Sequence, residues 1–438
     1  MIFFLAQALD PKVTVTSHVL VPVRRFPPHG TGLFDIASLG EGWRRGRVSE
    51  DDELTIDLTN VKFIEHETMV LIFALVCDWK TRKKAVYLDL PTSTRVLNYL
   101  RAWQFPAAIE NALNLRFAEV LTEDSQIRYE QLKKLPNDYE QVVVSPDGGR
   151  ASLVHISFFE LQALQISRAV FDLEDVVRRA ATLAKDKWLD AHVLGILDNY
   201  LAQKNYGDRV ATNVVYEAVR NSALHPKATL AYASSQIRRE DLGKGADGKQ
   251  RWGDPIWIEV SIWDDGESIL DTLKLALGDN QPITSSSYGL DDETFVVEVH
   301  DEGGPSRSFL RTVGDLHSDS DIAIMASAFM LGVSSQPHRS PDETYSESHP
   351  SGTDLKTRVR GLPGAGLYVL RTTVIDDFKG SIQYLTGRHR LSISGTPEVG
   401  KYLFSVSSGG PDDMTVKGNL LIVRIPLSRQ ATSTGDDA

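Results

Sequence analysis

The segment from Ala211 to His225, ATNVVYEAVRNSALH, constrains the fold more than any other part of the chain. Glu217, Asn221 and His225 follow one another at intervals of four residues. Four residues of helix turn about 400°, so Glu217 and Asn221 share one face of a predicted helix and His225 lies at its edge. An amide oxygen is a hard ligand for Mg²⁺, and a nearby carboxylate can orient or deprotonate an attacking group. The pair suits a magnesium nucleotide, although the same spacing also fits a solvated pair on an exposed helix.

Two later segments favour the nucleotide interpretation. Residues 256–269, IWIEVSIWDDGESI, have the pattern of a strand that ends in Asp264, Asp265 and Gly266. Residues 360–370, RGLPGAGLYVL, have the pattern of a glycine-rich turn that leads into an apolar helix. Taken alone, Asp-Asp-Gly after a strand fits an ordinary turn. The order of the three motifs along the chain is more specific than any one of them.

The three motifs are Glu-x-x-x-Asn on a helix, Asp-x-Gly after a strand, and Gly-x-x-Gly-x-Gly-Leu before a helix. In this order they resemble the GHKL (histidine kinase-like) ATP-binding domain, or Bergerat fold. That family includes the ATPase domains of gyrase and MutL, sensor histidine kinases and anti-sigma-factor kinases. The resemblance implies a two-layer α/β sandwich that binds ATP and Mg²⁺.

At the base end of such a site, the resemblance implies a role for two residues. Asp264 would accept a hydrogen bond from the adenine amino group, and Gly266 would keep the backbone clear of the ring. The carboxylate would give base specificity, because a purine without the amino donor leaves it unpaired. The run HDEGGP at residues 300–305 imitates this motif. It lies farther along the chain from the Glu217 helix, and no helix-like run follows it directly.

At the phosphate end, the resemblance implies a metal site and a reactive carboxylate. Asn221 would bind Mg²⁺, Glu217 would activate water or an acceptor hydroxyl, and His225 would contact a phosphate or cap its helix. Backbone amides of the glycine-rich turn would approach the phosphates ahead of a helix N-terminus. The other phosphate-end residues are Gly361, Gly364, Gly366 and Leu367 in the turn, and Ser334 and Ser335 as the anchor of a lid.

A long segment, at about residues 269–360, separates the second motif from the third. It contains the polar tract QPHRSPDETYSESHPSGTD, which carries too little apolar surface to order itself. The resemblance implies a lid over the phosphates, and a lid of this kind must move to admit nucleotide. The alternative interpretation is a disordered insertion with no role in the site.

The first part of the chain alternates predicted strands and helices on short loops, which argues for an α/β layer. Strands are predicted at residues 12–26, 53–58 and 85–90, and helices at 67–81 and 93–103. This layer resembles the STAS domain of anti-anti-sigma factors. The predicted divisions are a STAS-like domain at 1–125, a connector at 126–165, a GHKL domain at 166–428 and a polar tail at 429–438.

STAS domains carry a phosphorylatable serine where the second strand turns into the first helix. The corresponding run here is FIEHET, residues 63–68, which contains no serine. Thr68 is the only hydroxyl nearby, and Glu65 and Glu67 supply a fixed negative charge instead. We therefore expect the N-terminal layer to dock on a protein partner rather than to accept phosphate.

Composition limits the classes of partner. The formal net charge of -12 argues against broad contact with nucleic acid or an anionic membrane. The single cysteine, Cys77, lies in an apolar run, where a small buried hydrophobe is expected, as in a reducing cytoplasm. The opening MIFFLAQAL is too short to span a bilayer. The sequence leaves open whether the protein forms a homo-oligomer.

The sequence thus predicts a cytoplasmic, Mg-ATP-binding regulatory protein, either a slow ATPase or an anti-sigma-type Ser/Thr kinase. An alternative from another class is a signalling module in which ATP binding alone switches a protein interface. Glu217 favours an enzyme, whereas the missing acceptor serine favours the alternative.

Overall fold

The computed structural model describes part of the chain, and all structural statements concern that part. The described residues are 16–20, 42–44, 53–61, 64, 66–102, 104–134, 156–157, 162–165, 210–224, 228, 230–244, 250–278, 294–299, 307–312, 321–329, 366–387, 389–395, 402–408 and 416–427. Several sequence predictions fall outside them: the run at 300–305, the polar tract, the tail, Glu65, His225, Ser334, Ser335, Gly361 and Gly364.

The N-terminal layer is a three-stranded parallel sheet with β2 in the centre. Parallel neighbours need a crossover connection, and the helix α1 supplies it between β2 and β3. The predicted α/β alternation is confirmed here. The elements are β1 (Thr16–Leu20), β2 (Glu53–Asp57), α1 (His66–Thr81), β3 (Ala85–Asp89), α2 (Thr94–Ala102), α3 (Phe105–Leu113) and α4 (Glu123–Lys133).

The helix α4 begins at Glu123 and continues to Lys133, so it overlaps the start of the connector predicted at residues 126–165. Its apolar residues are few, so periodicity does not reveal it. Tertiary contacts hold it instead. The Ser125 hydroxyl accepts a hydrogen bond from the Leu90 amide at 2.8 Å, and the Arg128 guanidinium donates to the Leu90 carbonyl at 2.5 Å.

Helix α1 is apolar nearly all round and is buried nearly all round. Such a helix needs cover on more than one side, because a surface helix keeps a polar stripe for water. It contacts β3 of its own layer and the strands β6 (Leu230–Lys244) and β7 (Gln250–Asp264) of a second sheet. Cys77 is a buried thiol, as predicted, and burial raises its pKa to about 12.

The second sheet has ten strands in the order β4-β6-β7-β13-β10-β11-β12-β8-β9, with β5 paired to β6. All pairs are antiparallel except β12 with β8. The remaining strands are β4 (Ile156–Ser157), β5 (Gln162–Gln165), β8 (Thr294–Val299), β9 (Arg307–Thr312), β10 (Ser381–Gly387), β11 (His389–Gly395), β12 (Tyr402–Ser408) and β13 (Val416–Leu427).

Four helices pack on the face of this sheet that is opposite α1, which we call the front face. A six-residue π-helical segment precedes α5, and another continues α8. The helices are α5 (Tyr216–Leu224), α6 (Ile269–Gly278), α7 (Asp321–Ser327) and α8 (Gly366–Arg371). Helix α5 contacts α8 and β7, and the segment after α8 contacts β10, β11 and β13.

The two long strands of this region extend beyond their apolar parts. The strands β6 and β7 include basic and glycine-bearing residues at 238–244 and 250–254, because their pairing continues through two register shifts. The segment interpreted as a lid insertion also contributes α6, β8, β9 and α7. Strand β8 joins the sheet edge beside β12, a pairing between distant segments that local sequence does not encode.

The described residues therefore form a mixed α/β structure with both layers in contact. One apolar cluster joins the N-terminal layer to the back face of the ten-stranded sheet. Its members from that sheet are Tyr232, Trp263, Leu385, Val416, Leu420 and Ile422. None of the described helices combines the length and the apolar character that crossing a membrane requires.

Candidate functional site

A row of polar side chains crosses the front face at one register of three neighbouring strands. Asp264 is the last residue of β7 and pairs with Asn419 of β13, which in turn pairs with Thr386 of β10. All three are buried, at 2 %, 1 % and 0 % exposure respectively. The rows beneath them on this face are apolar except for the hydroxyl of Tyr384.

Asn419 ties this row together through both ends of its amide. The amide nitrogen donates to Asp264 Oδ1 at 2.9 Å and to the Glu267 carbonyl at 2.9 Å. The amide oxygen accepts from Thr386 Oγ1 at 2.9 Å and from the Ile269 amide at a longer 3.4 Å. Because donors and acceptors are both engaged, the amide orientation is determined and the start of α6 is fixed to the sheet.

The turn after β7 holds the Asp264 carboxylate in place. Its Oδ1 accepts a second hydrogen bond from the Gly266 amide at 3.0 Å. Gly418 lies directly alongside, at a φ of +79°, and a Cβ there would lie 1.8 Å from the Asp264 carbonyl oxygen. The strand pair therefore approaches at a distance that only glycine allows.

Replacing Gly418 by Ala should destabilise the protein by about 3 kcal/mol or more, because the backbone around Asp264 must move. Gly387→Ala is the matched control, since Gly387 also has a positive φ of +57° but open space around its Cβ position. In Gly387→Ala we expect only the cost of holding an alanine in the left-handed backbone conformation, roughly 1–2 kcal/mol. Chemical denaturation compares the two, and equal losses would contradict the close approach at Gly418.

Tyr384 places a buried hydroxyl near this row. Burial, together with the nearby Asp264 carboxylate, raises the pKa of Tyr384 well above its usual value, so the hydroxyl stays neutral. Within the described part of the chain, this hydroxyl has no hydrogen-bond partner. The Phe329 ring packs edge-on against the tyrosine ring at 5.9 Å. A buried polar atom without a partner in a native protein calls for a water or a ligand.

Glu217 lies on α5 and is only 2 % exposed. A Cβ placed on Gly366, the first residue of α8, would lie 3.5 Å from Glu217 Oε2. The carboxylate therefore lies against the start of α8, where it can orient a group bound at that point. Leu367 follows Gly366 directly and is buried, which holds the beginning of α8 in position.

The described site residues thus lie on elements that contact one another. Glu217 and Asn221 are on α5, Asp264 ends β7 with Gly266 in the turn after it, and Gly366 and Leu367 begin α8. Asn221 is half-buried. The five predicted residues His225, Ser334, Ser335, Gly361 and Gly364 lie outside the described residues.

Three residues of the front face were not predicted from the sequence: Asn419, Thr386 and Tyr384. A signal exists for Asn419, since it is followed at alternate positions by apolar residues that share its face of β13, and the weaker pattern of β10 gives less indication of Thr386. Tyr384 gives no such signal, because a tyrosine within a buried strand usually serves as core.

No family model matches the chain, and neither a curated protein nor a solved structure matches it. The functional assignment therefore rests on the residues of the front face and their geometry.

Proposed function

We propose that this chain is a Mg-ATP-binding regulatory protein with a GHKL-type nucleotide site on the front face. The observation that carries the proposal is the anchored carboxylate of Asp264 at the end of β7, beside the buried, unpartnered hydroxyl of Tyr384. A fixed acceptor next to a neutral hydroxyl suits a flat ligand with both donor and acceptor atoms at its edge, such as adenine.

At the base end, Asp264 Oδ1 is held by Asn419 and Gly266, so the carboxylate has one orientation. An acceptor fixed in this way selects for a ligand amino group. A ligand without the amino group would lose this hydrogen bond, at a cost of about 1–3 kcal/mol. Pre-organised acceptors of this kind give specificity without the entropy loss of ordering the side chain on binding.

At the phosphate end, the donor set of α5 fits a nucleotide-bound Mg²⁺. The Asn221 amide oxygen is the type of hard oxygen ligand that Mg²⁺ takes, with phosphate oxygens and waters completing the octahedron. The ion would neutralise phosphate charge. Glu217 lies one helical turn away and against Gly366, where it could hold a proton from water or from an acceptor hydroxyl.

The enzymatic proposal, a slow ATPase or a Ser/Thr kinase, rests on that buried carboxylate. The second candidate is a non-catalytic module in which ATP binding switches a protein interface. It is favoured by the contact between the N-terminal layer and the same sheet that carries the site. We also propose a cytoplasmic location, consistent with a single, buried thiol.

Replacing Asn221 by Ala should weaken binding of Mg-ATP by about tenfold or more, the scale for losing a contact to a charged group. The expected loss depends on the metal. In the presence of a chelator, wild type and variant should bind ATP equally weakly. Fluorescent-nucleotide titration measures the affinity with Mg²⁺ and with the chelator. An equal loss of affinity under the two conditions would show that Asn221 does not act through Mg²⁺.

A further inference from the structure

The back face of the ten-stranded sheet carries two arginines that meet the first turn of α1. Glu67 is only 4 % exposed, and its carboxylate accepts from Arg390 at 3.1 Å and from Arg424 at 3.1 Å. Arg390 also donates to the Gln383 side chain. Both arginines come from the sheet and Glu67 comes from the N-terminal layer, so these ion pairs cross the interface between layers.

A second buried carboxylate extends the network. Glu259 of β7 is 1 % exposed and accepts from Arg424 Nε at 2.5 Å. His66 Nδ1 lies 3.2 Å from Glu259, and the same ring contacts Ser261 Oγ at 3.1 Å. His66 Nε2 lies 2.6 Å from Ser234 Oγ. The docking network, as we call it, comprises His66, Glu67, Glu259, Arg390 and Arg424.

This network lies at the same interface as the apolar cluster that joins the two layers. Burying charged groups costs desolvation energy, and apolar residues of similar volume would often stabilise as well or better. The docking network therefore makes the interface selective for one register of α1 on the sheet. A rotation of α1 by one residue would move Glu67 away from the arginines and leave buried charges unpaired, which apolar contacts alone would not penalise.

We propose that the back face is a recognition surface selective for a helix whose first turn carries an adjacent histidine and glutamate. Its occupant is this chain's own N-terminal layer, which acts in cis on the sheet. His66 and Glu67, the part of the run FIEHET that meets the sheet, therefore serve this intramolecular docking rather than contact with a second protein. Thr68, in the same turn, is buried at 5 % exposure and is inaccessible to phosphorylation while the layer is docked.

The register of docking can be measured at the other end of α1. Lys417 Nζ lies 2.8 Å from Asp78 Oδ1, an ion pair that also crosses the interface. A carbodiimide activates the carboxylate, and the lysine amine then displaces the activating group to form an amide. We expect a cross-link between Asp78 and Lys417 in the full chain, mapped by mass spectrometry. Lys417→Arg keeps the charge and should abolish the cross-link.

A mixture of heavy-isotope-labelled and unlabelled chains separates cis docking from docking between copies. We expect only cross-linked peptides whose two halves carry the same label. Mixed-label peptides would show that a second copy occupies the surface. Absence of the cross-link in folded protein would show that the layers do not dock in this register. Either result overturns the proposal.

Selectivity is tested by Glu67→Gln, which removes the charge and keeps the shape. We expect the cross-link yield to fall severalfold and amide exchange of residues 66–79 to rise by about tenfold. Glu130→Gln, which removes an exposed ion pair with Lys133, should change neither. If Glu67→Gln does not fold, Arg390→Gln carries the test from the sheet side, where the arginine is partly exposed. Wild-type cross-linking and exchange in both variants would contradict selection by charge.

Discussion

Replacing Glu217 by Gln should lower ATP turnover by about 10²–10⁴-fold, the usual contribution of a general base. Glutamine keeps the volume of a side chain that is buried against Gly366, but it cannot take up a proton. In the proposed site, Glu217 would act on the nucleophile rather than on the nucleotide. We therefore expect the affinity for Mg-ATP to stay within a few-fold of wild type.

Release of ADP under single-turnover and steady-state conditions measures turnover. Equilibrium ATP binding, measured in parallel, gives the affinity. Asp271→Asn, an exposed acid on α6, is the control and should leave both quantities unchanged. Free phosphate that matches ADP would indicate hydrolysis, and a phosphorylated protein would indicate a kinase. Wild type that releases no ADP above the Glu217→Gln background would contradict the enzymatic proposal and favour the binding-only switch.

Replacing Asp264 by Asn should reduce ATP affinity by about 2 kcal/mol or more, roughly thirtyfold. The donors around Asp264 fix the orientation of an asparagine at this position. Oδ1 accepts from both Asn419 and Gly266, so an asparagine keeps its oxygen toward these donors. In the proposed site, its amide NH₂ would then replace Oδ2 and present a donor to the adenine amino group.

A nucleotide without the purine amino group tests the same contact from the ligand side. Wild type should bind purine riboside triphosphate more weakly than ATP, and Asp264→Asn should bind the two with similar affinity. Asp265→Asn is the matched control, because Asp265 accepts from the Leu230 amide and an asparagine oxygen can do the same. Undiminished ATP affinity in Asp264→Asn, with Asp265→Asn unchanged, would remove Asp264 from the site.

Local pattern predicted several individual elements correctly. The patterns at residues 53–58 and 85–90 predicted β2 and β3, and the apolar run at 67–81 predicted α1. The strand predicted from residue 256 begins earlier, at Gln250, because glycine and charged residues weaken a strand pattern while pairing with a neighbouring strand still holds the backbone.

The relation between distant segments could not be predicted from the sequence. Glu67 was interpreted as a fixed charge offered to a partner, whereas its carboxylate contacts Arg390 and Arg424, which lie more than three hundred residues away. Likewise, Asn419 meets Asp264 only because β13 pairs with β7. Such contacts depend on the register between strands and layers, which a single sequence does not specify.

We propose that the front face binds Mg-ATP, and calorimetric titration of the full chain with ATP in the presence of Mg²⁺ is the decisive test of that claim. We expect saturable binding of one ATP per chain, weaker without Mg²⁺ and weaker again in Asp264→Asn. The claim would be contradicted by folded, full-length protein that shows no saturable binding at millimolar ATP.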